Sequence, residues 1–225
     1  MSNFKNILLD IYKQTGFPAK QSQFDHKTSS EVENHLYRAR YGTFCLTEAI
    51  RPGCDLNVVP TQGFRHDTFR GAGKPLSAVT ASVSQERLFD TFFNLLDPLG
   101  DTVDVILESS HDVPELKNSG ELYRDSIDLP VLKSILLQYE DLLLNDGCTG
   151  IAVMNPHLRA EVQFDEHKLL VVYARKLTPF ECVFIDNYVD CNERMQILTE
   201  AEHVHCSSNR YAEQFIQLKY DLGIE

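Results

Sequence analysis

Apolar residues at helical spacing open the chain. Phe4, Ile7, Leu8, Ile11 and Tyr12 predict a short amphipathic helix, which Gly16 and Pro18 stop. Residues 19–30 are polar and read as a linker, and Ser30 with Glu33 has the spacing of a capping box. The alternation from Leu36 to Leu46 favours a strand, Leu56 to Val59 a shorter one, and Thr61 to Pro75 a glycine-containing loop.

The next segments carry stronger patterns. Ala78 to Val83 reads as a strand. Leu88, Phe89, Phe92, Leu96 and Leu99 then line one helix face, which ends near Pro98 and Gly100, and Thr102 to Glu108 is a strand again. That order is the order of a right-handed crossover unit. Ser109 to Ile127 is polar and acidic, with the length of a functional or mobile loop. Asp128 and Pro130 begin a helix whose stripe is Leu132, Ile135, Leu136, Tyr139, Leu142 and Leu143. Asn145-Asp146-Gly147 is expected to end it through a left-handed glycine. Ile151 to Met154, Glu161 to Phe164 and Lys168 to Tyr173 are predicted strands, the last two joined as a hairpin around Asp165-Glu166. Thr178-Pro179-Phe180-Glu181 has the form of a capped helix start, and a final helix runs from Ser207 or Ser208 to Gly223. The expected fold class is α+β: a single domain over residues 31–225, with helices packed on a mixed or antiparallel β-sheet. Residues 1–30 form an N-terminal helix and polar linker in this reading.

Composition adds limits. The 225 residues are 43% hydrophobic and 24% charged, the balance of a folded globular chain with a sizeable core. The longest apolar run, Leu169 to Tyr173, is far short of a membrane span, and no basic segment precedes a long apolar stretch as in a secretory leader. The formal net charge is -12, unevenly spread. Residues 1–35 are neutral. Residues 36–74 carry Arg38, Arg40, Arg51, Arg65, Arg70 and Lys74 against Glu48, Asp55 and Asp67, so the remainder holds a net -15. Repulsion of this size opposes binding to nucleic-acid phosphates, yet the basic segment has the composition of a local anion site. Six cysteines without a C-x-x-C pair argue against a zinc ribbon and suit a reducing, cytoplasmic setting, where several should act as small buried hydrophobes.

Five segments carry candidate chemistry. Glu200-Ala201-Glu202-His203-Val204-His205-Cys206 is the densest set of metal ligands. As a strand it points His203 and His205 to one face, where both can reach one ion with an acidic residue such as Glu200. As a helix it forms a capping box from Thr199 to Glu202 and the imidazoles diverge. Arg65, Arg70 and Lys74, with Gly71 and Gly73, are suited to a phosphate or carboxylate but lack the Walker A pattern. Glu108-Ser109-Ser110-His111-Asp112 follows a strand end and offers oxygen ligands for Mg²⁺ or Ca²⁺. Cys148 lies at a helix-to-strand junction in negative surroundings, which do not favour a thiolate nucleophile. Asp165-Glu166-His167-Lys168 reads as a hairpin turn.

No complete catalytic signature is present. The first expectation is therefore a non-catalytic acidic binding or regulatory module with a basic protein partner, cytoplasmic, binding neither nucleic acid nor membrane. The alternative is a metal-dependent hydrolase in which Glu200, His203 and His205 hold a divalent metal ion and the Arg65 region holds an anionic substrate. A small anionic ligand bound without chemistry is a third reading. Oligomeric state is not legible in the sequence.

Overall fold

A computed structural model describes residues 35, 37–53, 55–69, 76–113, 116 and 122–224. The predicted helix over 4–12, the linker, the 30–33 cap, Cys54, Arg70 and Lys74 lie outside the described residues. Seven strands build the main sheet: β4 (Gly63–Phe69), β5 (Leu76–Ser82), β6 (Thr102–Ser109), β7 (Tyr123–Asp128), β8 (Thr149–Asn155), β9 (Ala160–Phe164) and β10 (Leu169–Ala174). Their order is β4-β5-β10-β9-β8-β6-β7, and every pairing is antiparallel. Two short ribbons accompany it: β1 (Arg40–Tyr41) with β2 (Phe44–Cys45), and β3 (Ile50–Pro52) with β11 (His203–His205).

Among the described residues, the helices are α1 (Gln85–Leu95), α2 (Leu129–Leu136), α3 (Glu140–Asn145), α4 (Thr178–Asp186) and α5 (Asn209–Asp221), with a 3-10 turn at Leu137–Tyr139 joining α2 to α3. Their apolar stripes share one core with a single face of the sheet. Phe92, Leu132, Leu142, Phe184 and Phe215 meet Val79, Val105, Val153, Val162 and Val172 there. Side chains alternate along a strand, so the intervening residues Ala78, Ile106, Ala152, Met154 and Tyr173 form a smaller apolar patch on the opposite face. The fold is α+β, with an antiparallel sheet.

The two sheet edges depart from expectation. The segment read as a loop from 61 to 75 contains β4, and the loop read from 109 to 127 contains most of β7. Both are outermost strands, which bury fewer side chains and tolerate charge, so they lack the apolar alternation of inner strands. The strand expected over 36–46 is two short pieces, and 56–59 forms turns and bends. β5 and β6 do run parallel around α1, but three strands lie between them.

Two terminators also act differently from their sequence signals. Gly147 is not left-handed; the α3 run ends at Asp146 in extended conformation. Gly147 is small because a Cβ there would press on the Ala49 carbonyl and lie 2.8 Å from that of Cys206. Glu181 does not close a capping box at α4, since its carboxylate lies 2.9 Å from His66 Nε2.

Candidate functional site

The β9–β10 hairpin and the β3–β11 ribbon meet through three imidazoles. Asp165 makes the hairpin turn: its N–H donates to Leu169 O (3.1 Å), its carbonyl accepts from Lys168 N (3.1 Å), and its Oδ1 accepts from Leu169 N (2.8 Å). Lys168 takes the left-handed conformation (φ 62°) that closes such a turn, and His167 is presented at its end. The segment left open as helix or strand is a 3-10 turn at Leu198–Glu200 followed by strand β11. Pairing of His203 with Pro52 and His205 with Ile50 makes it a strand, so His203 and His205 share a face.

His167 joins them. One ring nitrogen from each of His167, His203 and His205 lies within 4.8 Å of the other two. The ring centroids are 5.0 Å (His167–His203), 4.8 Å (His167–His205) and 5.2 Å (His203–His205) apart. Imidazoles bound tetrahedrally to one ion at metal–nitrogen distances of about 2.0–2.1 Å place their centroids roughly 5 Å apart.

The outer hydrogen bonds fix the tautomers. His203 Nδ1 lies 2.8 Å from Ala201 O, and His205 Nδ1 lies 2.6 Å from Gly147 O. A carbonyl only accepts, so both Nδ1 atoms carry a proton, and Nε2 is the atom of each ring that holds the lone pair in the neutral form. His167 Nδ1 is 3.1 Å from Asp165 Oδ2, the carboxylate–histidine arrangement that orients metal-binding rings. His203 and His167 are nearly buried, at 7% and 8% exposure. Burial, with the facing His167 and His205 rings, pushes the His203 pKa down and keeps that ring neutral, as a ligand must be. Burial also acts downward on His167, but the Asp165 carboxylate outweighs it and the net shift is upward. Lys168 is buried, its ammonium 2.9 Å from Thr149 O, and burial pulls its pKa down to about 8. His167 and Lys168 line a narrow cleft with Phe44, Leu46, Thr47 and Leu198. The Thr47 hydroxyl oxygen is buried, with no hydrogen-bond partner among the described residues.

The other sequence candidates take separate places. Glu200 is absent from the imidazole group; its Oε1 is 2.7 Å from Arg65 Nη1. Arg65 also donates to Met195 O (2.8 Å) and pairs with Asp67 (3.3 Å), so its guanidinium anchors the 195–200 segment to β4. His111 and Cys148 belong to a network around Asp146, whose buried carboxylate accepts from His111 Nε2 (2.8 Å), Ser207 Oγ (2.5 Å) and Thr149 Oγ1 (2.5 Å). Burial pushes the Cys148 thiol pKa up, with Asp146 and Glu166 adding to it, so the thiol rests protonated. The expectation of buried cysteines fails where it is visible. Cys182 and Cys191 are exposed, and Cys45, Cys148 and Cys206 half-buried.

His167 is the site residue that sequence reading missed. Its hairpin was visible, but two elements thirty-six residues or more apart converge only through strand pairing. No protein-family model matches the chain, and no curated protein or solved structure is significantly similar to it. Among the described residues, no helix is long and apolar enough to cross a membrane.

Proposed function

We propose that the protein is a metal-dependent hydrolase centred on one zinc-type divalent ion held by His167, His203 and His205. The observation that carries this reading is the set of three rings whose Nδ1 atoms are all engaged by protein acceptors, leaving Nε2 for an ion. Three protein ligands rather than four are the pattern of catalytic zinc sites, which keep one position for water or substrate. An ion held there would lower the pKa of its water to about 7 and would polarise a substrate oxygen. The chain's own residues then supply orientation. Asp165 holds the His167 ring, and the Ala201 and Gly147 carbonyls hold the other two.

The acidic binding-module reading rests on net charge and on the lack of a complete catalytic signature in the sequence, whereas the metal-centre reading has geometry behind it. The net charge of segment 36–74 alone supports an anionic substrate, because Arg65 is already paired with Glu200 and Asp67, and the unpaired cysteines support a cytoplasmic setting.

The test is elemental analysis and zinc titration of protein purified without a histidine tag, followed by assay on carboxylic and phosphoric esters. The expected result is one equivalent of metal per chain that is lost in His203→Ala and in His205→Ala, together with metal-dependent ester turnover. No binding at micromolar zinc sinks the metal centre. Stoichiometric metal without turnover of any ester sinks the hydrolase.

A further inference from the structure

We propose that His66, Cys191 and Glu193 form a second, solvent-facing site for a thiophilic divalent ion such as Zn²⁺. One ligand atom from each of the three lies within 4.8 Å of the others. This site shares no residue with the three-histidine centre and does not depend on it.

Backbone pairing holds the three residues in place. His66 lies on β4, at one end of the sheet order. The outer side of β4 is taken by residues 190–192: Phe64 N donates to Asp190 O (3.0 Å), and Asn192 N donates to Phe64 O (2.7 Å). These bonds form a parallel bridge between Phe64 and Cys191, which sets the cysteine at a fixed register two residues from His66. Arg194 N donates to Asn192 Oδ1 (3.1 Å) and Met195 N to Asn192 O (3.0 Å), so the turn carrying Glu193 is bound at both ends.

Ligand chemistry follows from the side-chain contacts. Glu193 Oε1 lies 2.5 Å from His66 Nδ1 and 3.3 Å from Cys191 Sγ. Thiolate, imidazole and carboxylate atoms around one tetrahedral Zn²⁺ stand roughly 3.3–3.8 Å apart, given bond lengths of about 2.0–2.3 Å. The sulfur–oxygen spacing already fits. The nitrogen–oxygen spacing must open by about 1 Å, which a half-exposed Glu193 side chain accommodates by rotation. On the far side of the ring, His66 Nε2 is 2.9 Å from Glu181 Oε1 of α4. That carboxylate accepts a hydrogen bond from Nε2–H and so reserves Nδ1 for the ion, as outer carboxylates do for metal-binding histidines. Loading displaces the proton shared by His66 Nδ1 and Glu193 and the thiol proton of Cys191, both released to solvent. A histidine–carboxylate pair alone is an ordinary surface contact. The thiol in fixed register beside it selects a soft ion over Mg²⁺ or Ca²⁺.

Cobalt titration of the full untagged chain separates this site from the three-histidine centre, because only a thiolate ligand gives a near-ultraviolet sulfur-to-cobalt charge-transfer band. The expected result is a saturable band that persists in the His203→Ala/His205→Ala double variant. In Cys191→Ser the band disappears, and zinc affinity at this site falls at least tenfold. Cys191 is exposed, so that variant should retain the wild-type melting temperature and remain interpretable. Absence of a thiolate band, or a band that survives Cys191→Ser and vanishes in Cys148→Ser, overturns the proposal. Loss of zinc at the imidazole centre alone leaves this result unchanged and instead bears on the hydrolase reading.

Discussion

Asp165 serves both the turn and the imidazole cluster, because its two carboxylate oxygens face different donors. Oδ1 accepts the Leu169 N–H and Oδ2 faces His167 Nδ1. Burial pushes the Asp165 pKa up, but His167, the Leu169 N–H and Lys168 outweigh it and the net shift is downward. Asp165→Asn keeps the turn's shape and removes the charge behind the ring. Zinc affinity should drop about 10- to 100-fold with the stoichiometry unchanged, measured by competition with a chelator. Glu108 behaves in the opposite sense. Burial raises its pKa from 4.5 to about 8, with Glu166, Asp165 and Glu161 adding repulsion. Its folded form therefore holds a proton that the unfolded chain gives up near pH 4.5, so its contribution to stability is full below pH 4.5 and is lost as pH rises through 8. Glu108→Gln should flatten that decline and stabilise the protein at pH 7 by about 1–2 kcal/mol after screening, or roughly 2–8 °C in melting temperature. Thermal melts between pH 5 and 9 would show it, and an unchanged slope would refute the assignment.

The decisive contact between elements is the approach of the β3–β11 ribbon to the end of α3. Gly147 N donates to Cys206 O, and Cys206 N donates to Ala49 O, both at 2.8 Å. These bonds bring the Gly147 carbonyl within 2.6 Å of His205 Nδ1. A methyl group on Gly147 would meet backbone rather than a movable side chain, so Gly147→Ala forces the ribbon away. The expected outcome is a loss of about 1–3 kcal/mol in denaturant unfolding, together with weaker zinc binding. A variant that lost stability yet bound zinc normally would show that the ribbon's seat does not set the metal geometry. The same scale explains which elements were readable. β5, β6, β8, β9 and β10 announce themselves by apolar runs because both their neighbours are strands and their inner face is core. β4 and β7 were hidden because an edge strand is held by one ladder and needs few apolar residues.

For the whole molecule, an ion at His167, His203 and His205 would link the main sheet to a two-stranded ribbon that has only three residues on each strand. An ion bound by the folded state alone stabilises it by mass action, about 2.7 kcal/mol at a hundredfold excess over Kd. Zinc should therefore raise the melting temperature by roughly 5–10 °C, and a chelator should reverse the gain. The His203→Ala/His205→Ala variant should lose most of this shift, keeping any part contributed by the His66–Cys191–Glu193 site. An equal shift in wild type and variant would place the stabilising ion elsewhere. The uneven charge also becomes specific at this scale. Arg65 of the basic segment meets Glu200 and Asp67, and Arg40 meets Glu86, so part of the charge contrast is used in holding segments together.

The sequence by itself determined the inner strands, the helices and the α+β class, because those depend on local periodicity against a common core. It also placed His203 and His205 on one face, conditional on a strand that local propensity left undecided. Only the tertiary structure chose that strand, through its pairing with Ile50–Pro52, and only the tertiary structure added His167 and removed Glu200 to Arg65. The physical reason is that ligand convergence depends on which distant backbones exchange hydrogen bonds, and no residue's own neighbours along the chain encode that choice.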